Sequence, residues 1–566
     1  MRETGGKKSH FGFCENSVSL AVRAIKLPVF LAICLVACLA ICLAGCQETG
    51  PEIDSIYPRI GRMGDVLTIN GRGFGSEKNE SFITIAGTSP TSSSYLSWDD
   101  EEISVRIPEF GEAGLVYVHR GRKKSNPALF ANQLTLPVAM EGSYTGTGPR
   151  ISSIEPPSGP IGSLITIMGS NFGSSREQSG VFFSWDAEFL PGVPIENRVP
   201  DFVEAFEAEF DYELWSEREI QVRIPDGAVS GNLEVRTPKG NSQAVYFEIT
   251  GKPGTKAFRD KKSYALSYTV DLQIEKASLP NTLYIWMPQP ALSASQRNVR
   301  LLSRSQEPFV ENFQGSSLFQ FIDTNPRTNF NISLSYVADV YVIETSIRSL
   351  TQVRLNKPSL LGAIYILPSP LVPSDDPRIK SQTGEIIGRE SLPYPKAQKI
   401  YEWLISYLRV EDDSYYGGAL EALEEKRADS FRASLLFCSL ARAAGIPAQP
   451  VAGVLVNRRM AAIRHYWAEF WLDGFGWIPV DPALGAGLPL EDFIQREDHR
   501  SYYFGSLDNQ RVTFSRGEPL IFRMTPWGRV TQFSRKYSLQ NLWEEAVEGL
   551  ESYSSLWSDV TITGIY

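Results

Sequence analysis

Cysteine and histidine are scarce in this chain, and their scarcity excludes several kinds of site. The 566 residues include six cysteines and four histidines. Four of the cysteines fall within the first 45 residues, which leaves Cys46 and Cys438 in the rest of the chain. We expect no intramolecular disulfide between these two. No histidine has metal-ligand spacing to another histidine or to a cysteine pair, so the sequence predicts neither a metal nor a cofactor.

Positive charge is also in deficit. The chain has 55 Lys and Arg against 65 Asp and Glu, a formal net charge of -10 at pH 7. The one short basic cluster beyond the leading segment, Arg120 to Lys124, is typical of a solvated loop. Nucleic acid is therefore not an expected partner. Apolar residues make up 42% of the chain, enough for several buried cores, so we expect about three or four domains.

The first 45 residues have the pattern of an export signal. Basic residues precede an apolar run from Leu27 to Leu43, and the text then reads LAGC, ending at Cys46. A retained transmembrane helix needs roughly 20 apolar residues and gives no reason for small residues before a cysteine. The segment resembles the signal peptides of bacterial lipoproteins, which implies cleavage before Cys46 and a lipid on its sulfur.

That resemblance implies a place for the protein. We expect a cell-envelope protein held on a membrane by the lipid on Cys46. Gln47 is not the Asp that commonly retains lipoproteins on the inner membrane, so the outer membrane is the expected address. The face of that membrane, periplasmic or external, stays open.

Two stretches near the start of the remaining chain repeat each other. Residues 51–76 recur at 149–174, offset by 98 residues, and a second matched block, 103–108, recurs at 220–225, offset by 117. The second copy thus carries a 19-residue insertion, between about Asp186 and Glu213. Periodic glycines between short alternating strands are typical of small β-sandwiches.

Both repeats resemble IPT/TIG immunoglobulin-like domains. The resemblance implies a protein or glycan ligand as a possible partner. The insertion in the second repeat is rich in acidic and aromatic residues. It is interpreted either as a binding loop or as a loop that packs on the neighbouring domain.

The next part of the chain changes character twice. Longer alternating strands over 256–351 predict a further all-β unit, which resembles the β domain that precedes the core in many bacterial transglutaminase-like proteins. The proline-rich text that follows predicts an extended arm over 352–393. From Tyr394 onward, apolar residues recur at helical spacing.

A helix and two strands form the most informative stretch. Asp429 and Ser430 can cap a helix that Gly445 and Pro447 would end. The alternation around His465 predicts a strand, and Asp473-Gly474 predicts a turn into a second strand. Asp481 follows that second strand.

These motifs resemble the transglutaminase-like superfamily, which has a papain-like core. LARAAGIPAQ, HYWAE and GWIPVDP match its LxRAxGIPAR, HxWxE and GWxxxDP patterns. The resemblance implies a catalytic triad of a cysteine, His465 and Asp481. Where the family keeps the cysteine, fifteen residues before the glycine of GIP, this chain has Ser430.

Ser430 leaves two hypotheses open. As a helix cap it contributes about 1 kcal/mol without any catalysis, and the domain is then a binding or scaffolding pseudoenzyme. As a nucleophile it needs His465 as a general base and Asp481 to orient the ring, which gives a Ser-His-Asp amidase or peptidase. Cys438 lies two turns inside the helix and is expected to be a buried core residue.

The sequence therefore predicts a multidomain fold with immunoglobulin-like all-β sandwiches, a β domain and an α+β transglutaminase-like core. A helix is also expected over about 539–550. The predicted segments are a signal peptide (1–45), a lipidated linker (46–50), two sandwiches (51–137 and 149–250), the β domain (256–351), the arm (352–393), the core (394–490) and a C-terminal extension (491–566).

Overall fold

A computed structural model describes residues 50–566 except 59, 62, 109–113, 133–147, 187–200, 207–209, 349–351, 413–415 and 534. The export signal and Cys46 lie outside this range. Within it, no helix is both long enough and apolar enough to cross a membrane.

The first sandwich packs two sheets, one antiparallel and one mixed, around isoleucine, valine and phenylalanine side chains. Its first sheet contains, in spatial order, Glu52–Tyr57, Val66–Arg72, Glu102–Arg106 and Tyr95–Trp98. Its second sheet contains Ile60–Gly61, Ala128–Asn132, Gly114–Arg120 and Phe82–Ile85, with Lys123–Lys124 at the side and a short 3-10 turn at Ser92–Ser94.

The second sandwich repeats this plan. Its first sheet contains Arg150–Glu155, Leu164–Ser170, Glu219–Arg223 and Tyr212–Trp215. Its second contains Ser158–Gly159, Val245–Ile249, Gly231–Thr237, Gly180–Trp185 and Asp201–Glu204, with Gly240–Asn241 at the side. Gly71 and Gly169 hold equivalent places, since a Cβ on either would lie 2.0 or 2.1 Å from a carbonyl oxygen of the partner strand.

The insertion of the second sandwich adds a strand and contacts the β domain. Asp201–Glu204 pairs with Gly180–Trp185 at the edge of the sheet. The guanidinium of Arg297, in the β domain, donates to Asp201 Oδ1 at 2.8 Å and to the Phe202 carbonyl at 2.5 Å, and it lies 4.0 Å from the ring of Trp185. These contacts favour the interpretation of the insertion as a packing element.

The β domain is built on two long paired strands, Gly254–Ala277 and Asn329–Ile347. Its other strands before the core are Thr282–Pro288, Gln296–Arg304, Val310–Phe313 and Ser316–Ile322. The C-terminal part of the chain completes both of its sheets with Arg529–Thr531, Glu544–Val547, Leu550–Trp557 and Thr561–Ile565. These four strands of the predicted C-terminal extension thus belong to the β domain, whereas its earlier strand Arg511–Arg516 belongs to the core sheet.

The helix expected over about 539–550 is wrong. Residues 544–547 form a strand that pairs with Thr282–Pro288. The carboxylate of Glu544 accepts hydrogen bonds from Trp557 Nε1 at 2.7 Å and Tyr553 Oη at 2.8 Å, which allows this charged side chain to be buried within the sheet. Tertiary pairing overrides the helical spacing of the apolar residues.

The arm over 352–393 is only partly extended, which corrects the expectation from its prolines. It contains two helices, Leu360–Ile364 and Pro377–Ile387, and Asp376 caps the second by accepting from the Arg378 N–H at 2.8 Å. Before the helices, Asn356 binds the backbone of Leu164 and so ties the arm to the second sandwich.

The core packs helices on a four-stranded antiparallel sheet. The sheet contains, in spatial order, Gly476–Val480, Ala462–Leu472, Ala448–Val456 and Arg511–Arg516. The helices are Pro393–Tyr407, Ala419–Glu425, Ser430–Ala443, Pro482–Gly485 and His499–Tyr502, and the short strands Arg409–Val410 and Arg427–Ala428 pair in parallel. Ser430–Ala443 lies at the centre, with almost every side chain buried. Gly445 ends it at a φ of 79°.

Candidate active site

The expected helix begins at Ser430, and Asp429 caps it. Asp429 has extended backbone dihedrals, and its Oδ1 accepts from the N–H of Arg432 at 2.9 Å. Ser430 is the first residue inside the helix, one position past the cap. The capping role suggested for Ser430 is therefore wrong, because the neighbouring carboxylate performs it.

The hydroxyl of Ser430 has no structural partner in the part of the chain that the structure describes. The residue is 7% exposed, and its side chain makes no hydrogen bond there. The other buried serines of the helix differ, since the Ser434 and Ser439 hydroxyls donate to the carbonyls of Phe431 and Leu435 at 2.8 Å. Ser430 is thus buried, although its hydroxyl makes no hydrogen bond within the described residues that would stabilise the fold.

His465 and Asp481 are in direct contact. The Nε2 of His465 lies 2.8 Å from Oδ2 of Asp481, and both side chains are at most 1% exposed. The strands pair with Ala468 opposite Val480, so the two residues are two positions out of register and meet diagonally. Within the described residues, the other ring nitrogen of His465 makes no hydrogen bond.

The helix start and the histidine strand pack together next to these groups. Phe431, which follows Ser430, meets Tyr466, which follows His465, in an edge-to-face contact with ring centroids 5.0 Å apart. Ser430 and His465 therefore belong to two elements that contact each other through their adjacent residues.

Asp481 is held by more partners than the sequence suggests. Arg511 donates to its Oδ2 at 3.2 Å, and the N–H of Leu484 donates to its Oδ1 at 3.0 Å. Burial alone would raise the pKa of this carboxyl, but His465, Arg511 and the N–H outweigh that effect and hold the pKa below its usual value. Asp481 is thus a buried anion in contact with an imidazole, a guanidinium and a backbone N–H.

Arg511 and Asp508 were missed as site residues. Arg511 lies 2.8 Å from Asp508, whose Oδ2 also accepts from the Tyr503 hydroxyl at 3.1 Å. Both residues lie in the stretch YYFGSLDNQRVTFSRG, beyond the motifs from which the site was predicted, and no sequence signal singled them out. A buried arginine shared by two carboxylates is a means of fixing the orientation of Asp481.

Cys438 is not a candidate nucleophile. It is fully buried in the middle of the helix, and burial raises its pKa well above the ordinary value for a thiol. A thiol of that kind is unreactive at neutral pH. Across the described ranges, no three His, Cys, Asp or Glu side chains are grouped to hold a metal ion.

Residues 380–482 match the transglutaminase-like superfamily, and residues 51–131 and 149–185 match the IPT/TIG domain. An uncharacterized protein of Haemophilus influenzae is 24% identical over 309 residues, which are 45% of this chain and 79% of that protein. Cyclomaltodextrin glucanotransferase of Paenibacillus macerans is 29% identical over 111 residues, which are 18% of this chain and only 15% of that enzyme.

Among solved structures, a Cytophaga hutchinsonii protein named as a candidate cysteine protease is similar to 55% of this chain. The match covers 91% of that protein at 15% identity, with a TM-score of 0.34. The second IPT/TIG match stops at residue 185, directly before the insertion. The chain therefore carries a transglutaminase-like domain that follows IPT/TIG immunoglobulin-like domains.

Proposed function

We propose that this protein is a cell-envelope lipoprotein whose transglutaminase-like domain serves as a binding or scaffolding element with a closed, serine-substituted site. Lipid on Cys46 anchors it, preferably to an outer membrane. The sequence LAGC, which ends at Cys46, supports the lipid anchor, and Gln47 supports the outer-membrane address. The IPT/TIG domains extend from that anchor and present their surfaces to a protein or glycan ligand.

The observation that carries the scaffolding role is the burial of all three candidate residues. Ser430, His465 and Asp481 are 7%, 1% and 0% exposed. A peptide or protein substrate has to bring its carbonyl carbon to the nucleophile, about 3 Å away, which requires more open space at Ser430 than a small reagent needs. A hydroxyl also lacks the acidity that lets a helix N-terminus and a histidine generate a thiolate.

A second function, a serine amidase or peptidase, is favoured by one specific observation. The His465–Asp481 pair is intact, while the Ser430 hydroxyl and the second ring nitrogen of His465 make no hydrogen bond within the described residues. In such an enzyme Ser430 Oγ attacks the amide carbonyl and His465 takes its proton. His465 then returns the proton to the leaving amine, and water hydrolyses the resulting ester.

A serine-directed fluorophosphonate separates the two functions. The scaffolding role predicts no labelling of the peptide that contains Ser430 after treatment of the full chain near neutral pH. Labelling that disappears in Ser430→Ala but persists in Ser434→Ala, the matched serine one turn further along the helix, would establish the hydrolase and refute the scaffold. Ser434 is a suitable control because its hydroxyl already donates to a backbone carbonyl.

A further inference from the structure

A short segment from the C-terminal part of the chain contacts the N-terminal end of the helix Ser430–Ala443 and the strand that carries His465. We define residues 535–537 as the strap. The Arg535 guanidinium lies 2.8 Å from Asp429 Oδ2 and 4.9 Å from the ring of Phe431, so it contacts both neighbours of Ser430. Arg464, which precedes His465, donates to the Arg535 carbonyl at 3.0 Å.

The strap also binds the residue that follows His465 and the loop that precedes the short helix Ala419–Glu425. The Tyr466 hydroxyl donates to the Lys536 carbonyl at 2.6 Å, and Arg535 Nη2 donates to the Gly417 carbonyl at 3.1 Å. The residues before and after both Ser430 and His465 therefore bind the same three-residue segment. One segment thus couples the helix start to the histidine strand.

The strap and the residues directly after it are fixed to both the β domain and the core sheet. Tyr537 is 1% exposed and packs edge-on against Trp543 at 5.9 Å between ring centroids. The N–H of Leu539 donates to Ser515 Oγ at 2.9 Å, and Arg535 adopts a left-handed conformation with a φ of 61°. A non-glycine residue in that conformation persists only where its surroundings determine it. Arg535 is therefore held in place from behind.

Arg535 neutralises the negative charge of Asp429, the residue before Ser430. Burial raises the pKa of the Asp429 carboxyl, and the Arg432 N–H and the Arg535 guanidinium offset part of that effect. An unneutralised carboxylate at the cap would oppose any negative charge that develops on the next residue, because buried charges interact strongly at short range. Arg535 is in direct contact with this carboxylate, while Arg432 pairs with Glu425 at 2.9 Å.

We propose that Arg535 is a positioning residue for position 430, which it serves by neutralising Asp429 and by joining the helix start to the histidine strand. The inference rests on the Ser430–His465 site of the proposed function but holds whether or not that site is catalytic. It predicts that Arg535 controls how easily the group at position 430 carries negative charge.

The test uses the full chain with Ser430→Cys, in which the introduced thiol reports on its surroundings. The rate of alkylation by iodoacetamide is measured by peptide mapping from pH 5 to pH 9. Adding Arg535→Gln should slow alkylation at pH 7 about tenfold by raising the thiol pKa, while the rate at high pH stays unchanged. Arg535→Lys should keep most of the rate, since it retains the charge.

Two further variants make the result specific. Asp429→Asn combined with Arg535→Gln should restore the pH 7 rate, because asparagine still caps the helix and leaves no charge to neutralise. Arg529→Gln is the matched control, since that arginine lies in the same C-terminal region and donates to the Glu551 carbonyl instead. It should leave the profile unchanged.

Three results would overturn the proposal. The first is an unchanged pH profile in Arg535→Gln, and the second is faster alkylation at every pH, which would mean that the strap only shields the site. The third is a loss of rate that the double variant does not restore. Thermal melts check that each variant is folded. If Arg535→Gln alone does not fold, the alkylation rates of Arg535→Lys and of the Asp429→Asn, Arg535→Gln double variant test the proposal. Fluorophosphonate labelling of native Ser430 is read separately, so failure of the proposed function cannot be mistaken for failure of this inference.

Discussion

Asp481 Oδ2 is shared between His465 Nε2 at 2.8 Å and Arg511 Nη1 at 3.2 Å. The carboxylate therefore lies between an imidazole and a guanidinium with no access to solvent. Arg511 also binds Asp508 at 2.8 Å, so one buried cation serves two buried anions. The orientation of His465 depends on a network that extends beyond the residues of the expected triad.

Arg511→Met should destabilise the core strongly. The change leaves Asp481 and Asp508 buried without their guanidinium, and breaking a buried ion pair in this way costs about 3–5 kcal/mol. Thermal and urea unfolding followed by tryptophan fluorescence measure the effect. Arg500→Met, at an exposed arginine that donates to Ser406 Oγ, should change stability by less than about 0.5 kcal/mol. Equal effects of the two changes would contradict the shared-cation network.

The same network predicts a loss of stability in acid. The pKa values of Asp481 and Asp508 are lower in the folded state than their usual value, despite burial, because of His465 and Arg511. The folded state then binds fewer protons than the unfolded state near pH 4. The stabilisation is complete above about pH 5 and is lost as the pH falls through the folded pKa values.

The measurement is the melting temperature as a function of pH between 7 and 2. Asp481→Asn should be less stable at pH 7 and should show a flatter decline in acid, since it lacks one of the two titrating groups. Asp260→Asn, at an exposed aspartate, is the control and should follow the wild-type curve. A decline in Asp481→Asn as steep as in the wild type would show that other groups dominate acid unfolding.

Much of the candidate site could be predicted because its residues are specified locally. The turn at Asp473-Gly474 determines the pairing of the two strands, and Gly445 ends the helix. In the structure this turn pairs Ala468 with Val480, the residue directly before Asp481. The diagonal reach of His465 to Asp481 depends on side-chain rotamers, which the alternation of apolar residues does not specify.

The remaining features depend on contacts between distant parts of the chain. Arg535 reaches Asp429 across 106 residues, and the strand Glu544–Val547 exists because Thr282–Pro288 pairs with it. Apolar residues at 539, 542, 543, 546 and 550 have helical spacing, yet tertiary pairing selects a strand. The sequence offered Asp429 and Ser430 as the helix cap. The hydrogen bond from the Arg432 N–H identifies Asp429 as the capping residue.

Ser430→Cys should create a reactive thiol. At the first position of the helix and beside the histidine strand, the introduced thiol should react with iodoacetamide near pH 7 more than about tenfold faster than Cys438. Cys438 is the internal control, because burial raises its pKa and encloses it. A rate no higher than that of an unstructured cysteine peptide would show that the surroundings of position 430 do not activate a nucleophile.

Cys46→Ala tests the proposed anchor. Cys46 lies outside the described residues, and the lipobox sequence is the basis of the expectation. The variant should leave the membrane fraction or remain unprocessed, as judged by fractionation and the mass of the mature chain. Cys438→Ala should remain processed and membrane-bound. A Cys46→Ala protein that is still cleaved and sedimenting with membranes would exclude lipid attachment at this position.

The second sandwich supports the hairpin that carries His465 and Asp481, which leads to a prediction at Lys256. The Nζ of Lys256 lies 2.5 Å from Asp226 of the sandwich and 2.7 Å from the Trp477 carbonyl in the hairpin, and both charged side chains are about one-tenth exposed.

Lys256→Met leaves Asp226 buried without its cation and should lower the free energy of unfolding by about 3–5 kcal/mol. Hydrogen exchange should accelerate in Gly476–Val480, because the sandwich no longer holds that strand through this contact. Lys276→Met, at an exposed position of the same long strand, should change neither quantity. Faster exchange confined to the sandwich in Lys256→Met would show that the hairpin is stable without it.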